Sequence, residues 1–436
     1  MVSNLVPCKQ WKSNIIMINK LISWSIHNRF IVILLTLGLV GYGYYSMTQT
    51  PVDAIPDLSE NEVIVFTEWM GRSPQLVEDQ ITFPLVSNLQ GIPKVKDIRA
   101  TSMFGMSFVF VVFQDKVDPY WARTRVLERL NYAQKFLPEN VVPSLGPDAT
   151  GVGQVYWYTL HAPGYDLGQQ RALQDWYVKF ALQNVPGVSE VASFGGFQKQ
   201  YQIALDPHKL NYYHITLMDV IKAVKENNND VGGRVFDINS TNYIVRGLGY
   251  LKNREEIANL PVATEGTTPI RIKDIGDVQM GGDQRLGIID ENGNGEAVGG
   301  VVLMRYGANA DVVIRAVKAK MKDIQKGLPP GVTFKTAYDR STLIEASVKS
   351  IEHTILEEII LVCVVILAFL LHFRSALVVM LSIPIAILTA FIMIRLLGFS
   401  SNIMSLSGIA IAIGVIVDNA IVMVENAYRH LTEADH

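Results

Sequence analysis

The chain has 436 residues, of which 49% are hydrophobic and only 18% charged, with a net charge of −3. Soluble proteins carry about one-quarter charged residues, so this composition is that of a membrane protein with a sizeable water-exposed part, longer than one ordinary domain. No basic tract is long enough to follow a phosphate backbone, which excludes nucleic acid as a partner.

The first sixteen residues contain Cys8, Lys9 and Lys12 but no small-residue cleavage site, so they do not form a signal peptide. An internal start at Met17 would open the chain on Met-Ile-Asn-Lys-Leu-Ile. Cys8 lies in this leader and Cys363 in a distant apolar run, a placement that suits neither a disulfide framework nor a CxxC metal site. Residues 1–29 are expected to be a cytoplasmic N-terminal segment and 30–48 a first span, apolar between Arg29 and the interfacial ring of Tyr42, Tyr44 and Tyr45.

A long polar stretch follows, patterned as an internal repeat. Alternation in 63–67 predicts a strand, Ser73–Leu89 a helix capped by Ser73, and 108–113 a second strand after the segment Ile92–Ile98. The order recurs as a strand over 155–160, a helix over 168–184, the segment Val185–Val191 and Tyr201–Leu205. Pro93/Pro186, Val95/Val188, Asp97/Glu190 and Ile98/Val191 keep a constant offset of 93 residues. Duplicated ferredoxin-like β-α-β units explain this most economically. Thr216 predicts the cap of another helix, to Asn227, inside a segment 199–285 inserted into the second unit; strands within 286–305 and a helix over 310–326 complete that unit.

Three apolar runs close the chain, at 354–373, 376–397 and 403–426, each near the roughly 20 residues needed to cross a bilayer. Lys20, Arg29, Arg374 and Arg429 fall on one side if the spans alternate, which makes that side cytoplasmic and puts 49–350 outside. Residues 427–436 form a cytoplasmic end. The fold class is therefore a polytopic α-helical membrane protein with four transmembrane helices and a large periplasmic α+β region.

The fourth run contains Asp418, about 15 residues or ~22 Å beyond Ile403, and Glu425 seven residues later on nearly the same helical face. An acid in hydrocarbon is costly and marks a functional site by default. Burial moves a carboxyl towards neutral pKa, where it can load and unload protons. Asp418 and Glu425 are the candidate proton relay. Gly408, Ala412 and Gly414 permit close packing on this helix, whereas Glu357 and Glu358 read as interfacial solvation. No phosphate-cradling loop, hydrolase triad or zinc-spaced histidine pair is present, so ATP is not the driving force; Gly151-Val-Gly153 is a loop element, and His353 and His372 are singletons that are not nominated as ligands.

The order of one span, a duplicated external region and three further spans resembles the first half of the resistance-nodulation-division (RND) transporters. Five strings resemble their heavy-metal branch: Pro51-Val-Asp-Ala-Ile-Pro-Asp57, Asp118-Pro-Tyr-Trp-Ala-Arg123, Leu145-Gly-Pro-Asp-Ala-Thr-Gly-Val-Gly153, Tyr338-Asp-Arg340, and the run from Gly414 to Asn426. The resemblance covers essentially everything after Met17 and implies a secondary active transporter, a proton antiporter rather than an enzyme, of the inner membrane, with no cofactor. It implies porter subdomain 1 at 49–147 with 331–350, porter subdomain 2 at 148–198 with 286–330, and a docking insertion at 199–285. It also implies a homotrimer that works with a periplasmic membrane-fusion adaptor and an outer-membrane channel. Family members are about twice as long, so the chain corresponds to an N-terminal half, in which the partner lysine of the proton site and the principal methionine cluster are not found.

Within that branch, cobalt/zinc/cadmium pumps usually carry a second acid six residues before the principal one. Ala412 stands there, which favours the copper/silver type and transport of Cu(I) or Ag(I) against protons. Soft thioethers suit these ions. Met404, at the external mouth of the fourth span, and Met393, near the external end of the third, are the candidate metal ligands. Met103 and Met106, three apart on one expected strand, face opposite sides and make a poor pair. A divalent-cation pump, an organic-compound pump and a non-transporting remnant are the alternatives.

Overall fold

The computed structural model describes residues 20–434 except 21, 240, 266, 286, 371 and 372. The leader with Cys8 and Met17, and His372, lie outside the described residues.

The α/β region is built from two units of identical topology. The first comprises β1 (Glu62–Glu68), a helix over 74–89, β2 (Val95–Met103), β3 (Met106–Phe113), a helix Pro119–Ala133 and β4 (Ser144–Leu145), with sheet order β2-β3-β1-β4. The second comprises β5 (Gln154–His161), a helix over 167–183, β6 (Val188–Phe194), β13 (Val298–Met304), a helix Ala310–Gly327 and β14 (Thr333–Asp339), ordered β14-β5-β13-β6. Matched strand for strand, both are the split β-α-β arrangement, with every pairing antiparallel. The 93-residue offset marks equivalent turns: Lys94 (φ 65°) and Gly187 (φ 85°) each supply the left-handed residue between helix and edge strand. Ser73 caps the 74–89 helix by accepting the Leu76 N–H, as its sequence predicts.

Each unit buries one sheet face under its two helices. Val63, Val65, Val109 and Val111 alternate inward and meet Leu85, Leu89, Val126 and Leu130. In the second unit Val155, Val191 and Val302 meet Leu182, Ile314 and Val317. Fully burying one such side chain is worth about 1.5–3 kcal/mol, so these two cores hold the scaffold on which the loops are placed.

Two sequence expectations change. The segment 331–350 does not join the first subdomain: Thr333–Asp339 pairs with β5 and closes the second sheet, and residues from Arg340 onward are already helix. The first unit closes on the two-residue strand Ser144–Leu145, too short to show alternation. Nor does Tyr201–Leu205 belong to the repeat's sheet. It lies in β7 (Lys199–Leu205), which pairs along its length with β12 (Gly276–Gly282) to form the ribbon on which the insertion leaves and returns. Between them stand a short helix Pro207–Tyr212, a helix Leu217–Glu226, the hairpin β8 (Val231–Ile238) and β9 (Thr241–Gly247), a short helix Arg254–Ala258, the hairpin β10 (Pro261–Glu265) and β11 (Thr268–Arg271), and the turn of helix Ile272–Ile275. Thr216 and Asp219 form a reciprocal capping box on the 217–226 helix.

Four long helices complete the chain: Arg29–Gln49, Arg340–Leu370, Phe373–Leu396 and Ile403–Ala434. The second starts fourteen residues before the expected 354, because β14 runs directly into it. Among the described residues, Arg29–Gln49 and Ile403–Ala427 are long and apolar enough to cross a bilayer, and Met380–Leu396 is a shorter apolar stretch. The first helix crosses the third at Gly43, where an added Cβ would stand 2.7 Å from that of Leu388, while Gly38 has nothing within 4 Å. Gly43→Ala is therefore expected to lower the melting temperature of the detergent-solubilised chain and Gly38→Ala to leave it unchanged or raised, since Ala favours helix over Gly by about 0.8–1.0 kcal/mol. Equal effects at both positions would show that the crossing carries no strain.

Candidate proton site and its junction with the α/β region

The fourth helix is anchored at its start to the segment that leaves the first. Asn402 and Ser405 cap each other reciprocally, with Ser405 N–H donating to Asn402 Oδ1 at 3.0 Å and Asn402 N–H to Ser405 Oγ at 2.9 Å. Val52 bridges Ser401, with Asp53 N–H donating to Ser401 O at 3.0 Å and Ser401 N–H to Pro51 O at 2.8 Å. At the same end Arg395 of the third helix lies over the ring of Tyr45, 4.5 Å from its centroid, a contact typical of an interfacial anchor.

Below this cap the helix presents two faces. Ile409, Ile413 and Val417, spaced by four, are buried against Ile383 and Phe391 of the third helix. Met404, Gly408, Ile411, Val415, Asp418, Val422 and Glu425, spaced alternately by four and three, are all exposed. That spacing is the seam by which one helix packs on another. Both candidate proton carriers lie on this stripe. Neither has a hydrogen-bond partner among the described residues, so the burial expected for Asp418 is not supplied by these four helices. The reason is geometric: Asp418 sits one residue, about 100°, round the helix from the buried Val417.

Of the small residues expected to allow close packing, Gly414 is the one that meets a neighbour, Glu358 of the second helix, whose Oε1 is 4.0 Å from an added Cβ; Gly408 faces open space. Glu357 is exposed and pairs with His353 at 3.3 Å, in keeping with solvation. Glu358 differs: it is half-buried, eighteen residues into its helix, and level with Gly414, one turn above Asp418. Its half-burial comes from packing beside Gly414 of the fourth helix, a contact that the hydropathy pattern does not reveal. Met393 and Met404 are 51% and 70% exposed and lie outside the packed core of the bundle.

The family-like strings prove to be joints between elements. Asp118 caps the Pro119–Ala133 helix through Trp121 N–H at 2.7 Å, Tyr120 donates to Asp148 at 3.3 Å, and Arg123 donates to Pro147 O at 3.2 Å. Asp148 also accepts from Ser189 and faces Arg305 at 3.8 Å, so one carboxylate links the two α/β units. Burial and the facing Asp148 push the Tyr120 hydroxyl above the ordinary tyrosine value. At the head of the second helix Arg340, 4% exposed, donates to Val152 O at 2.6 Å and pairs with Asp53 at 3.4 Å. Beside it Asp339 takes both the N–H and the hydroxyl of Ser341 and pairs with Lys318. Burial raises the Asp339 carboxyl, but the bonds from Lys318 and Ser341 outweigh it and hold it below the usual value. Arg340 thus clamps the post-helix segment 51–54, the 151–153 loop and the second helix at one point.

The AcrB/AcrD/AcrF family model matches residues 21–436, and the chain belongs to that family. It is 45% identical over 423 residues to the cation efflux system protein CusA of Escherichia coli K12 and, over the same length, to the putative cation efflux system protein SilA of Salmonella typhimurium. It is 38% identical over 427 residues to the cobalt-zinc-cadmium resistance protein CzcA of Cupriavidus metallidurans. Each match covers 96% of this chain and 40% of the relative, so the chain spans less than half the length of the proteins it matches. A crystal structure of a heavy metal efflux pump superposes with a TM-score of 0.85 at 35% identity, over 94% of this chain and 41% of that one.

Proposed function

We propose that the chain is the N-terminal half of a proton-driven efflux pump for Cu(I) and Ag(I), with its four long helices spanning the inner membrane and residues 49–350 in the periplasm. The observation that carries this reading is the exposed seam of the fourth helix, on which Asp418 and Glu425 lie in an otherwise apolar stripe. A carboxylate that faced lipid there would cost about 2.5–3.5 kcal/mol, so the seam suits a further helix, contributed by the length that the relatives have beyond the matched region. In that enclosure Asp418 takes up and releases protons, and Glu358 beside Gly414 offers a carboxyl one turn nearer the periplasm. The Arg340 clamp then carries helix movement to the second α/β unit, and the insertion on the β7–β12 ribbon is the surface for a periplasmic adaptor and outer-membrane channel around a trimer.

Two features support the monovalent cargo. Identity is higher to CusA and SilA than to the cobalt-zinc-cadmium protein, and Ala412, six residues before Asp418, leaves the helix with no second acid at that level. Met404 and Met393 are the proposed thioether ligands at the membrane mouth. A sensitive strain carrying the full-length pump is expected to gain tolerance to copper and silver salts and none to zinc, cadmium or cobalt. A gain confined to the latter three would replace this cargo with the divalent one.

A further inference from the structure

Three methionines, Met70, Met103 and Met106, lie at one end of the first sheet, around the turn that joins β2 to β3. A two-residue turn, Phe104–Gly105, joins β2 to β3 and makes Met103 and Met106 direct cross-strand partners. Partners in an antiparallel ladder share a face, with Cβ atoms about 4.5–5.5 Å apart. The expectation that these two residues point to opposite sides is therefore corrected: it holds for one continuous strand, and the chain reverses between them. On the other side Met106 pairs with Glu68 of β1, so Met103, Met106 and Glu68 stand abreast on one face.

The loop after β1 is bonded onto this turn. Trp69 N–H donates to Gly105 O at 2.8 Å and Gly105 N–H to Arg72 O at 2.9 Å. The loop carries Met70, whose Sδ lies 3.1 Å from the position a Cβ would take at Gly105. Gly105, at φ 70°, thus serves both the turn and the close approach of this thioether. Met70 and Met103 are 46% and 50% exposed and Met106 is half-buried, and none of the three belongs to the core beneath the sheet. Methionine usually fills gaps in cores, a role that these exposed positions do not offer.

We propose that Met70, Met103 and Met106 form a thioether site for a soft monovalent cation, Cu(I) or Ag(I), on the water-exposed end of the first α/β unit. The ligands are neutral and soft, the class that holds these ions and binds Zn(II) poorly. Glu68 adds a negative charge on the same face, and Arg72, the nearby cation, is turned over the Trp69 ring at 4.9 Å. The choice of ion rests on the copper/silver reading above, but the site is tested separately from it.

The test is a titration of the purified chain in nanodiscs, with methionine methyl groups labelled with carbon-13 and assigned by single Met→Leu variants, using silver nitrate and then zinc sulfate in chloride-free buffer. The Met70, Met103 and Met106 signals are expected to move together with Ag(I), saturate at one bound ion, and stay still with Zn(II). M103L/M106L is expected to bind one Ag(I) fewer per chain and to leave the Met70 signal unmoved, with the other methyl signals in place as evidence of folding. Unmoved or independently moving signals in the wild-type chain, or undiminished Ag(I) stoichiometry in the variant, would overturn the site. Metal tolerance in cells reads the cargo, so a pump for divalent ions with an intact Ag(I) titration, and a copper pump with a silent one, are distinguishable results.

Discussion

Asp418→Asn is expected to abolish metal-dependent proton flux while leaving folding and trimer assembly intact. Asn keeps the shape and polarity of the side chain and removes its titrating proton, and Asp418 lies on the exposed seam with no structural bond to lose among the described residues. Glu425→Gln is expected to reduce flux less, because Glu425 lies seven residues, or ~10 Å, further along the helix, nearer the boundary where water can relay protons. The order follows from depth: the desolvation that makes a carboxyl useful near neutral pH weakens towards the interface. A pH-sensitive dye in vesicles carrying the full-length pump reads the flux, with size-exclusion chromatography of the same preparations reporting assembly. Normal flux in an assembled Asp418→Asn pump would remove this residue from the mechanism.

Arg340→Gln is expected to destabilise the chain by about 3–5 kcal/mol, the usual cost of removing one partner of a buried ion pair. The change leaves Asp53 without its cation and Val152 O without its 2.6 Å donor. Asp53→Asn should cost less, since an amide oxygen still accepts the Ala54 N–H that Asp53 Oδ1 accepts at 2.7 Å. The double variant should recover part of the sum, because the two residues share one interaction. Denaturant unfolding of the detergent-solubilised chain, followed through Trp fluorescence, measures all three. Strict additivity would show that Arg340 and Asp53 are neighbours without coupling, and the clamp would then rest on Val152 alone. In the proposed pump the second helix begins at the residue that holds the α/β region, so a displacement of that helix would carry the region with it.

Much of this was legible from the chain as written. The helix Arg29–Gln49 falls within a residue of the expected 30–48 at each end, since hydropathy is summed over neighbours and needs no partner. Ser73 and Thr216 announced two caps because a cap is a bond to an N–H three residues away. The constant offset of 93 residues announced the duplication, and the left-handed Lys94 and Gly187 are its physical counterpart. Asp418 stood out because an acid amid apolar residues is anomalous on composition alone.

Tertiary structure decided the rest, wherever the partner lies far along the chain. Ser144–Leu145 closes the first sheet although two residues hold a single period of alternation, and Thr333–Asp339 consequently falls to the second sheet. Met103 and Met106 became neighbours only through the turn between them, and Glu358 acquired its half-buried place from the fourth helix, some fifty residues further along the chain. Arg340 and Asp53 are 287 positions apart. Periodicity records which face of an element is apolar; it does not record which other element covers that face. Closure of two sheets and crossing of four helices made those choices, because strand order and interhelical packing are set by the shape of the whole assembly.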